Sequence, residues 1–513
     1  MQHPRRDPTS PPHAGLSILR YSAGIVLLSL VLSPVARAQL QPGNAESSPI
    51  GSAPGARTSA GTPPGLLDAL FTGNNLLGDM GGLRSGLASL GVSYGINETS
   101  EVLANVTGGV RTGPAYDGLT LLSVGLDTDK AFGWHGGTFN ASALWIHGRN
   151  LSQDNLDVAG GGIIQTASGI EAERTFRLWE LWFDQASASS DVDVKIGLQS
   201  IDQEFITSTY TTLFMNTVMG WPALPSYDMY AGGPAYPLAS LGMRLRGNSG
   251  PFNGLLGIYD DNPAGGTFDN DDQLRGRART GLDFSLDNGV LVIGELQFAL
   301  NQPSTGQNVE PGSHSGGLPG TYRIGAWYDS GAFPDQRYTT DGLSAADPLS
   351  NGEGRLLRHD FAIYTSDDQQ LWHDAAGVRA LGVFARLMGA PGDRNLVSFS
   401  TNLGLSLKAP LLSRPNDTVG IGYGLARISS AASALDQDRR LYPGDAAYPI
   451  RSTESFIELT YQAQLTPWWS LQPDLQYIFS PGGGVLNPDA APTDGTVRIA
   501  NETIVGLRTS ITF

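Results

Sequence analysis

Apolar and polar residues alternate in many segments of the chain between about residue 88 and its end. In residues 396–408 the side chains at alternate positions are apolar, and most of the intervening side chains are polar. The apolar positions are Val397, Phe399, Leu403, Leu405 and Leu407. Successive side chains of a β-strand point to opposite faces, so this pattern predicts a strand with one face in an apolar environment and the other in water.

Such segments recur along the chain, and many are about as long as a tilted strand that crosses a bilayer, ~9–11 residues. Aromatic residues collect near their ends, and long polar loops alternate with short turns, as in membrane barrels. We place sixteen strands near residues 89–106, 118–128, 137–148, 174–185, 191–200, 238–247, 252–260, 290–300, 320–329, 356–365, 377–388, 396–408, 417–427, 453–466, 468–479 and 497–513.

The predicted fold class is all-β: a transmembrane, antiparallel, 16-stranded outer-membrane β-barrel. An even number of strands places both ends of the barrel on one side of the membrane. Asp283 to Asn288 could form a further strand, but the long loop 330–355 would then lie on the side of the short turns, so we assign the segment to a loop. A barrel of this size encloses an aqueous channel, whereas eight strands leave room only for side chains.

The N-terminal region is predicted to lie outside the barrel. In residues 1–38, basic residues precede an apolar stretch at 21–32, and Ala36 and Ala38 form a cleavage site, which together indicate a secretory signal peptide. Residues 39–75 are rich in Pro, Gly and Ser and are predicted to form a flexible periplasmic tether. Residues 76–513 then form the barrel domain.

Both ends of the barrel domain carry a further signal. Leu83, Leu87 and Leu90 share one helical face and predict a short periplasmic helix before the first strand. The last strand is amphipathic and ends on Phe513, which resembles the signal that the outer-membrane barrel-assembly machinery recognises. We therefore expect this machinery to be a partner of the chain.

Composition narrows the possible functions. The chain has no cysteine, so it cannot use disulfides, and its net charge of −17 argues against nucleic acid as a partner. Its seven histidines show no zinc-binding spacing, and no phosphate-binding motif is present, so we predict neither an enzyme nor a cofactor or metal. The acidic stretches 260–261 and 269–272 are interpreted as solvated loop tips rather than calcium sites.

Several segments together resemble the carbohydrate-selective porin family of the OprB type. G-D-M-G-G-L-R at 78–84 is similar to the family's opening motif, which usually has Trp where Met80 stands here. R-L-W-E-L-W at 177–182 is similar to its fourth strand, and the most specific match is L-T-P-W-W-S-L-Q-P-D-L-Q-Y-I-F-S-P-G-G at 465–483. The resemblance covers about residues 76–513. It implies passive diffusion of small sugars such as glucose through an outer-membrane barrel, surrounded by lipid and lipopolysaccharide.

Polar residues on the fourth, fifth and sixth strands are candidates for contact with sugar. If Trp179 and its alternate neighbours face lipid, then Glu180, Trp182 and Asp184 face the lumen. Carboxylates accept hydrogen bonds from sugar hydroxyls, and an indole ring stacks on the apolar face of a sugar ring. The lumen-facing positions of the next two strands and of the last strand add Lys195, Gln199, Arg244, Arg246 and Arg508.

The stretch 201–237 lies between the fifth and sixth strands, on the side of the long loops. It is the best candidate for a loop that folds inward and narrows the pore. Its predicted constriction residues are Asp202, Glu204, Asn216, Trp221 and Tyr227.

Other functions stay open at this point. In a general or anion-preferring solute porin, Arg244, Arg246 and Arg508 would dominate the lumen. An outer-membrane lipase or an adhesin is a third possibility, although no Ser and His share one face of a predicted strand at a suitable spacing. Porins of this size are often homotrimers, but no contact surface is legible in the sequence, which leaves monomer and homotrimer open.

Overall fold

The computed structural model describes residues 73–156, 163–265, 279–282, 284, 286, 288–302, 317–442, 447–490 and 497–513. The predicted signal peptide, the tether up to residue 72 and the acidic stretch 269–272 lie outside the described residues.

The described residues form sixteen antiparallel strands that close into one barrel, as the alternating pattern predicts. The strands are β1 (Val92–Gly109), β2 (Gly113–Asp127), β3 (Gly137–Gly148), β4 (Thr175–Ala186), β5 (Val192–Gln199), β6 (Ser240–Ser249), β7 (Phe252–Asp260), β8 (Val290–Leu300), β9 (Gly320–Thr339), β10 (Gly354–His373), β11 (Ala380–Gly389), β12 (Val397–Lys408), β13 (Thr418–Ile428), β14 (Thr453–Thr466), β15 (Trp469–Phe479) and β16 (Ala500–Thr512). Each strand pairs with its neighbours in sequence, and β1 pairs with β16, so no edge is left unpaired.

The wall alternates between an outward apolar face and an inward polar face. On β12, Leu403 and Leu405 are exposed on the outside, whereas Ser400 and Asn402 are buried on the inside. Strand β14 repeats the pattern, with Glu458 fully buried beside two exposed aliphatic residues. The buried apolar cluster inside the barrel consists largely of side chains from the connection between β5 and β6, such as Phe205, Met215 and Leu224, which fill part of the lumen.

Two strands are longer than predicted. Strand β9 continues to Thr339, so the predicted loop 330–355 begins ten residues too early, and β10 continues past residue 365 to His373. Gly331 and Pro334 are typical of a turn, but Pro334 here sits opposite Leu356 within the β9–β10 pair, where two register shifts accommodate the irregular residues. The segment from Asp283 to Asn288 precedes β8, and its described residues 284, 286 and 288 belong to no strand.

One predicted orientation is wrong. Trp179 was expected to face lipid, but only 7% of its surface is exposed, and its ring packs edge-on against Tyr236 at 6.2 Å. The cause is a β-bulge, since Ser142 pairs with Glu180 and the next residue of β3 pairs with Leu178, which leaves Trp179 without a partner opposite. The residues that follow the bulge, including Trp182 and Asp184, keep the predicted inward direction.

Short helices occupy the connections. They are α1 (Leu83–Ser89), α2 (Thr128–Phe132), α3 (Thr217–Gly220), α4 (Ala223–Asp228) and α5 (Ser430–Leu441), with short 3₁₀ or π turns at Met80–Gly82, Ser152–Leu156, Ile201–Gln203, Thr211–Leu213, Tyr230–Gly232 and Pro481–Gly483. Among the residues that the structure describes, no helix has the length and apolarity needed to cross a bilayer.

The predicted helix before the first strand is present as α1. Its Arg84 donates hydrogen bonds to the carbonyl oxygens of Tyr94, at 3.2 Å, and of Phe513, at 2.9 Å. The guanidinium also lies over the Tyr94 ring, 4.5 Å from its centroid. The helix is thereby fixed to β1 and to the C-terminal residue, next to the line where the barrel closes.

Candidate pore constriction

Residues 200–239 connect β5 to β6 and fold into the lumen; we call them the constriction loop. Inward-facing carboxylates of distant strands accept hydrogen bonds from its backbone. Glu295 on β8 accepts from the N–H of Ile206 at 2.8 Å, and Glu458 on β14 accepts from the N–H groups of Met215 at 2.5 Å and Asn216 at 3.2 Å. The loop therefore reaches from β5 to the far side of the barrel, which supports the predicted inward fold.

A third carboxylate holds the segment between these two contacts. Asp368 on β10 accepts from the Ser208 hydroxyl at 2.5 Å and from the Thr209 N–H at 2.9 Å. Arg323 on β9 donates to the same carboxylate at 3.1 Å, so its charge is compensated from the wall. Hydrogen bonds to a charged acceptor contribute about 1.5–3 kcal/mol each, so these anchors fix the path of the loop.

Apolar side chains of the loop lie on glycines of the wall. A Cβ atom at Gly420 would come within 2.6 Å of Leu213 Cδ2, and one at Gly422 would come within 2.6 Å of Met219 Cε. The Tyr210 ring covers Gly382 in the same way. These glycines allow the loop to pack directly against β11 and β13, so the lumen is filled on that side.

The end of α3 is held by a buried arginine. Arg386 on β11 is fully buried and donates to the carbonyl oxygens of Val218 at 2.8 Å and Gly220 at 2.9 Å. The last carbonyls of a helix lack partners within the helix, and a cation satisfies both their hydrogen bonding and the local dipole.

Asn216 and Trp221, two predicted constriction residues, hold the loop together. Asn216 donates to Gln165 at 2.5 Å and to Gln476 at 2.9 Å, and its side chain caps α3 at the Val218 N–H. Trp221 is 9% exposed and donates its indole N–H to the carbonyl of Gly232 at 2.8 Å. The hydroxyl of Tyr227 likewise donates within the fold, to the carbonyl of Ile163. These side chains are engaged with protein rather than directed into an open channel.

Six charged side chains meet where β4, β5 and β6 face the constriction loop; we call them the charged cluster. They are Asp184, Asp193, Lys195, Glu204, Arg244 and Arg246. Arg244 lies at the centre and is 1% exposed. It contacts Asp193 directly, donates to Glu204 at 3.1 Å and lies 3.5 Å from Asp184.

The other two cations of the charged cluster are also paired. Arg246 donates to Asp193 at 2.7 Å, and Lys195 donates to Glu204. The Lys195 ammonium also lies over the Trp182 ring, 4.4 Å from its centroid. With three cations and three carboxylates, the cluster is electrically balanced, although each buried charge still carries a desolvation cost.

Three further predicted residues lie at the loop's first turn. Glu180 accepts from the Ser200 N–H at 3.2 Å, and Asp202 accepts from the Ser200 hydroxyl at 2.6 Å and the Tyr236 N–H at 3.1 Å. Burial raises the pKa of Asp202 above its ordinary value, and these hydrogen bonds oppose the rise. Gln199 is buried and donates to the carbonyl of Gly242 at 3.0 Å.

Arg508 lies apart from this group. It pairs with Glu101 on β1, and its guanidinium is 3.5 Å from the Ser168 hydroxyl in the connection between β3 and β4. The structure therefore unites most of the predicted residues in one place and leaves Arg508, Asn216, Trp221 and Tyr227 outside it.

Sequence reasoning missed four residues that anchor the loop, Glu295, Asp368, Arg386 and Glu458, and one member of the charged cluster, Asp193. All five occupy polar positions of alternating strands, as other lumen-facing polar residues do. The one available signal was charge, because a buried ionisable group on a strand needs a partner. That signal does not identify the partner.

Comparisons with known proteins agree with this architecture. The model of the carbohydrate-selective porin, OprB family, matches residues 111–513. Porin B of Pseudomonas aeruginosa is 27% identical over 427 residues, which cover 80% of this chain and 87% of that protein. The high-pH structure of Pseudomonas putida OprB superimposes with a TM-score of 0.73 at 23% identity, over 86% of this chain and 99% of that one. The low-pH structure of the same protein gives a TM-score of 0.51 at 18% identity, again over 86% of this chain and 99% of that one. The chain therefore belongs to the carbohydrate-selective porin, OprB family, and is a sugar channel of the bacterial outer membrane.

Proposed function

We propose that small neutral saccharides diffuse passively past the charged cluster and Trp182, which together form the selective part of the channel. The observation that carries this proposal is the balance of charge, since each of Lys195, Arg244 and Arg246 is paired with a carboxylate. A balanced site offers donors and acceptors to hydroxyl groups but has no net charge to attract ions. This favours a neutral solute over an anion.

Trp182 supplies the apolar contact in this proposal. Its ring lies against Lys195, and an indole in this setting can bind the apolar face of a sugar ring while the neighbouring ions exchange hydrogen bonds with the hydroxyls. Each such contact has to be weak, because a solute that binds tightly does not leave. Glu180, Asp202, Gln199 and the more distant Arg508 belong to the proposal as supporting wall residues.

Liposome swelling with sugars and with amino acids of equal size tests selectivity. We expect faster swelling with the sugars, and Trp182→Ala should reduce the difference, whereas the outward-facing Trp145→Ala is the matched control. Equal rates for both solute classes in the unaltered protein contradict sugar selectivity. Planar-bilayer currents with a strong anion preference would favour the alternative of an anion-preferring porin.

Export and assembly complete the proposal. Residues 1–38 act as a cleaved signal peptide, 39–75 as a periplasmic tether and 76–513 as the porin domain, and the strand ending on Phe513 is recognised by the barrel-assembly machinery. The barrel is surrounded by lipid and lipopolysaccharide. N-terminal sequencing of protein from outer membranes should begin at Gln39; a start at Met1 contradicts the cleavage.

A further inference from the structure

A cavity of about 200 Å³ lies between the connection from β13 to β14 and the connection from β15 to β16. We call it the arginine cavity, and its lining residues are Arg439, Tyr448, Pro449, Arg451, Val485 and Leu486. A single water molecule needs only ~10–15 Å³ of such space, so the cavity admits a group of several heavy atoms.

The arginine cavity lies on the same side of the barrel as the constriction loop. Both of its connections follow an odd-numbered strand, as the constriction loop does, and the long loops of outer-membrane barrels face the outside of the cell. Val485 packs against the buried apolar cluster inside the barrel, which includes Ile428 and Ile478. The cavity therefore lies at the outer mouth of the channel, above the filled part of the lumen, and not on the lipid-facing wall.

A buried carboxylate orients two of the arginines. Asp436 on α5 is fully buried and accepts two hydrogen bonds from the Arg451 guanidinium, at 2.9 Å and 3.1 Å. Arg439 Nη1 lies 3.5 Å from the same carboxylate and donates to the Tyr448 hydroxyl at 2.5 Å, and its guanidinium lies over the Tyr448 ring. Side chains that are already held in place lose little further freedom when they bind a ligand.

A third arginine approaches the cavity from the other connection. Arg498 pairs with Leu486 in an isolated β-bridge, and its Nη1 atom would be 2.7 Å from a Cβ atom at Gly484. Gly484 has a φ of +96°, which favours glycine, and the missing side chain leaves room for the guanidinium. Within the part of the chain that the structure describes, the Arg498 side chain forms no hydrogen bond or ion pair.

The arginine cavity retains unused donors and a positive charge. A guanidinium has five N–H donors. Among the described contacts, Arg451 uses Nε and Nη2 on Asp436 and keeps Nη1, whereas Arg439 keeps Nε and Nη2. Three guanidiniums stand against the one carboxylate of Asp436, so this group is positive in a chain whose net charge is −17.

We propose that the arginine cavity binds the carboxylate of an acidic saccharide, such as a uronate, at the outer mouth of the channel. A guanidinium binds a carboxylate through two parallel hydrogen bonds, and Nε and Nη2 of Arg439 form the edge that such a pair requires. The sugar hydroxyls exchange hydrogen bonds with the Tyr448 hydroxyl and with Nη1 of Arg451. The proposal adds a second class of solute and does not depend on the selectivity of the charged cluster.

Two other ligands fit the cavity less well. A neutral sugar supplies hydroxyl groups but leaves the positive charge of the three guanidiniums uncompensated. A phosphate group of lipopolysaccharide supplies the charge, but lipid headgroups surround the wall of the barrel, whereas Val485 places the cavity above the lumen. An anion that enters the channel from outside the cell reaches this position directly.

Isothermal titration calorimetry on the protein purified from outer membranes tests the proposal. D-Galacturonate should bind at least tenfold more tightly than D-galactose, which has CH₂OH in place of the carboxylate, and added KCl should weaken the binding because salt screens exposed charges. Arg498→Gln should weaken galacturonate binding about tenfold, since a charge-assisted hydrogen bond changes a binding constant by at least that factor. Arg358→Gln, at an exposed position of β10, is the matched control and should leave the affinity unchanged.

Equal affinities for galacturonate and galactose overturn the proposal, and so does an Arg498→Gln protein that binds galacturonate as tightly as the Arg358→Gln control. Inorganic phosphate that binds as tightly as galacturonate overturns the saccharide class and indicates a general anion site. Native mass spectrometry detects bound lipopolysaccharide, and its loss in Arg498→Gln alone, without galacturonate binding, assigns the cavity to the lipid instead. Liposome swelling with neutral sugars reports on the charged cluster, so failure of the proposed function remains distinguishable from failure here.

Discussion

Replacing Glu458 with glutamine should loosen the constriction loop. The carboxylate is fully buried and accepts two backbone N–H groups of the loop, at 2.5 Å and 3.2 Å. Glutamine keeps one acceptor and directs an NH₂ group at the other N–H, so one hydrogen bond is lost and a buried donor is left unsatisfied, which together cost about 3 kcal/mol. Since 1.4 kcal/mol corresponds to a factor of ten, the undocked population of the segment around Met215 should rise about a hundredfold.

Single-channel recording in planar bilayers measures this change. We expect Glu458→Gln to produce frequent excursions to a higher conductance that are rare in the unaltered protein. The matched control is Glu353→Gln in the connection between β9 and β10, which makes the same substitution at an exposed side chain without touching the constriction loop. A Glu458→Gln channel that is folded, as judged by its heat-dependent electrophoretic mobility, and has unaltered current noise refutes the assignment of this side chain as an anchor of the loop.

Three further outcomes follow from other contacts. Arg244→Met removes the central cation of the charged cluster, so the channel should become cation-selective. The reversal potential in a KCl gradient measures this selectivity, and an unshifted potential contradicts the placement of the cluster in the ion path. Arg84→Ala loses the hydrogen bond to the Phe513 carbonyl and the contact with the Tyr94 ring, so the free energy of unfolding should fall by about 1–3 kcal/mol in urea titrations. An unchanged urea midpoint contradicts a stabilising role for these contacts. Burial and the nearby Asp360 carboxylate raise the pKa of Asp228 in α4, so its folded form binds a proton more readily than its unfolded form. The resulting stabilisation is full below pH ~4 and is lost as pH rises through the higher folded-state pKa. Asp228→Asn should make the melting temperature depend less on pH over this range. An unaltered pH dependence of the melting temperature contradicts the raised pKa of Asp228.

The barrel was predictable because its constraint is local and repeated. In residues 396–408 or 453–466, alternation alone fixes the strand and its lipid-facing side, and the observed bounds of β12 and β14 agree within a residue. The prediction was wrong for residues 330–339, which were assigned to a loop. Gly331 and Pro334 favour turns, yet the neighbouring strand β10 holds this segment within an irregular strand pair.

The site was only partly predictable for a different reason. Glu180 and Glu458 occupy equivalent polar positions of their strands, yet one lies at the loop's first turn and the other anchors backbone 243 residues away in sequence. Periodicity reports which face a side chain occupies and contains no information on long-range partners. Four members of the charged cluster, Asp184, Lys195, Arg244 and Arg246, were predicted together because they come from three consecutive strands, which are necessarily neighbours. Asp193, on the same strands, was missed.

The hydrogen bonds from the constriction loop to β8, β10 and β14 also have a mechanical consequence. A cylinder with a wall one strand thick deforms most easily by flattening into an ellipse. The loop leaves the wall between β5 and β6 and is tied to the far side, so it works as a cross-brace that resists this flattening. The aperture is thereby coupled to the roundness of the barrel, and lateral pressure in the membrane becomes a force on the same hydrogen bonds that set the width of the pore.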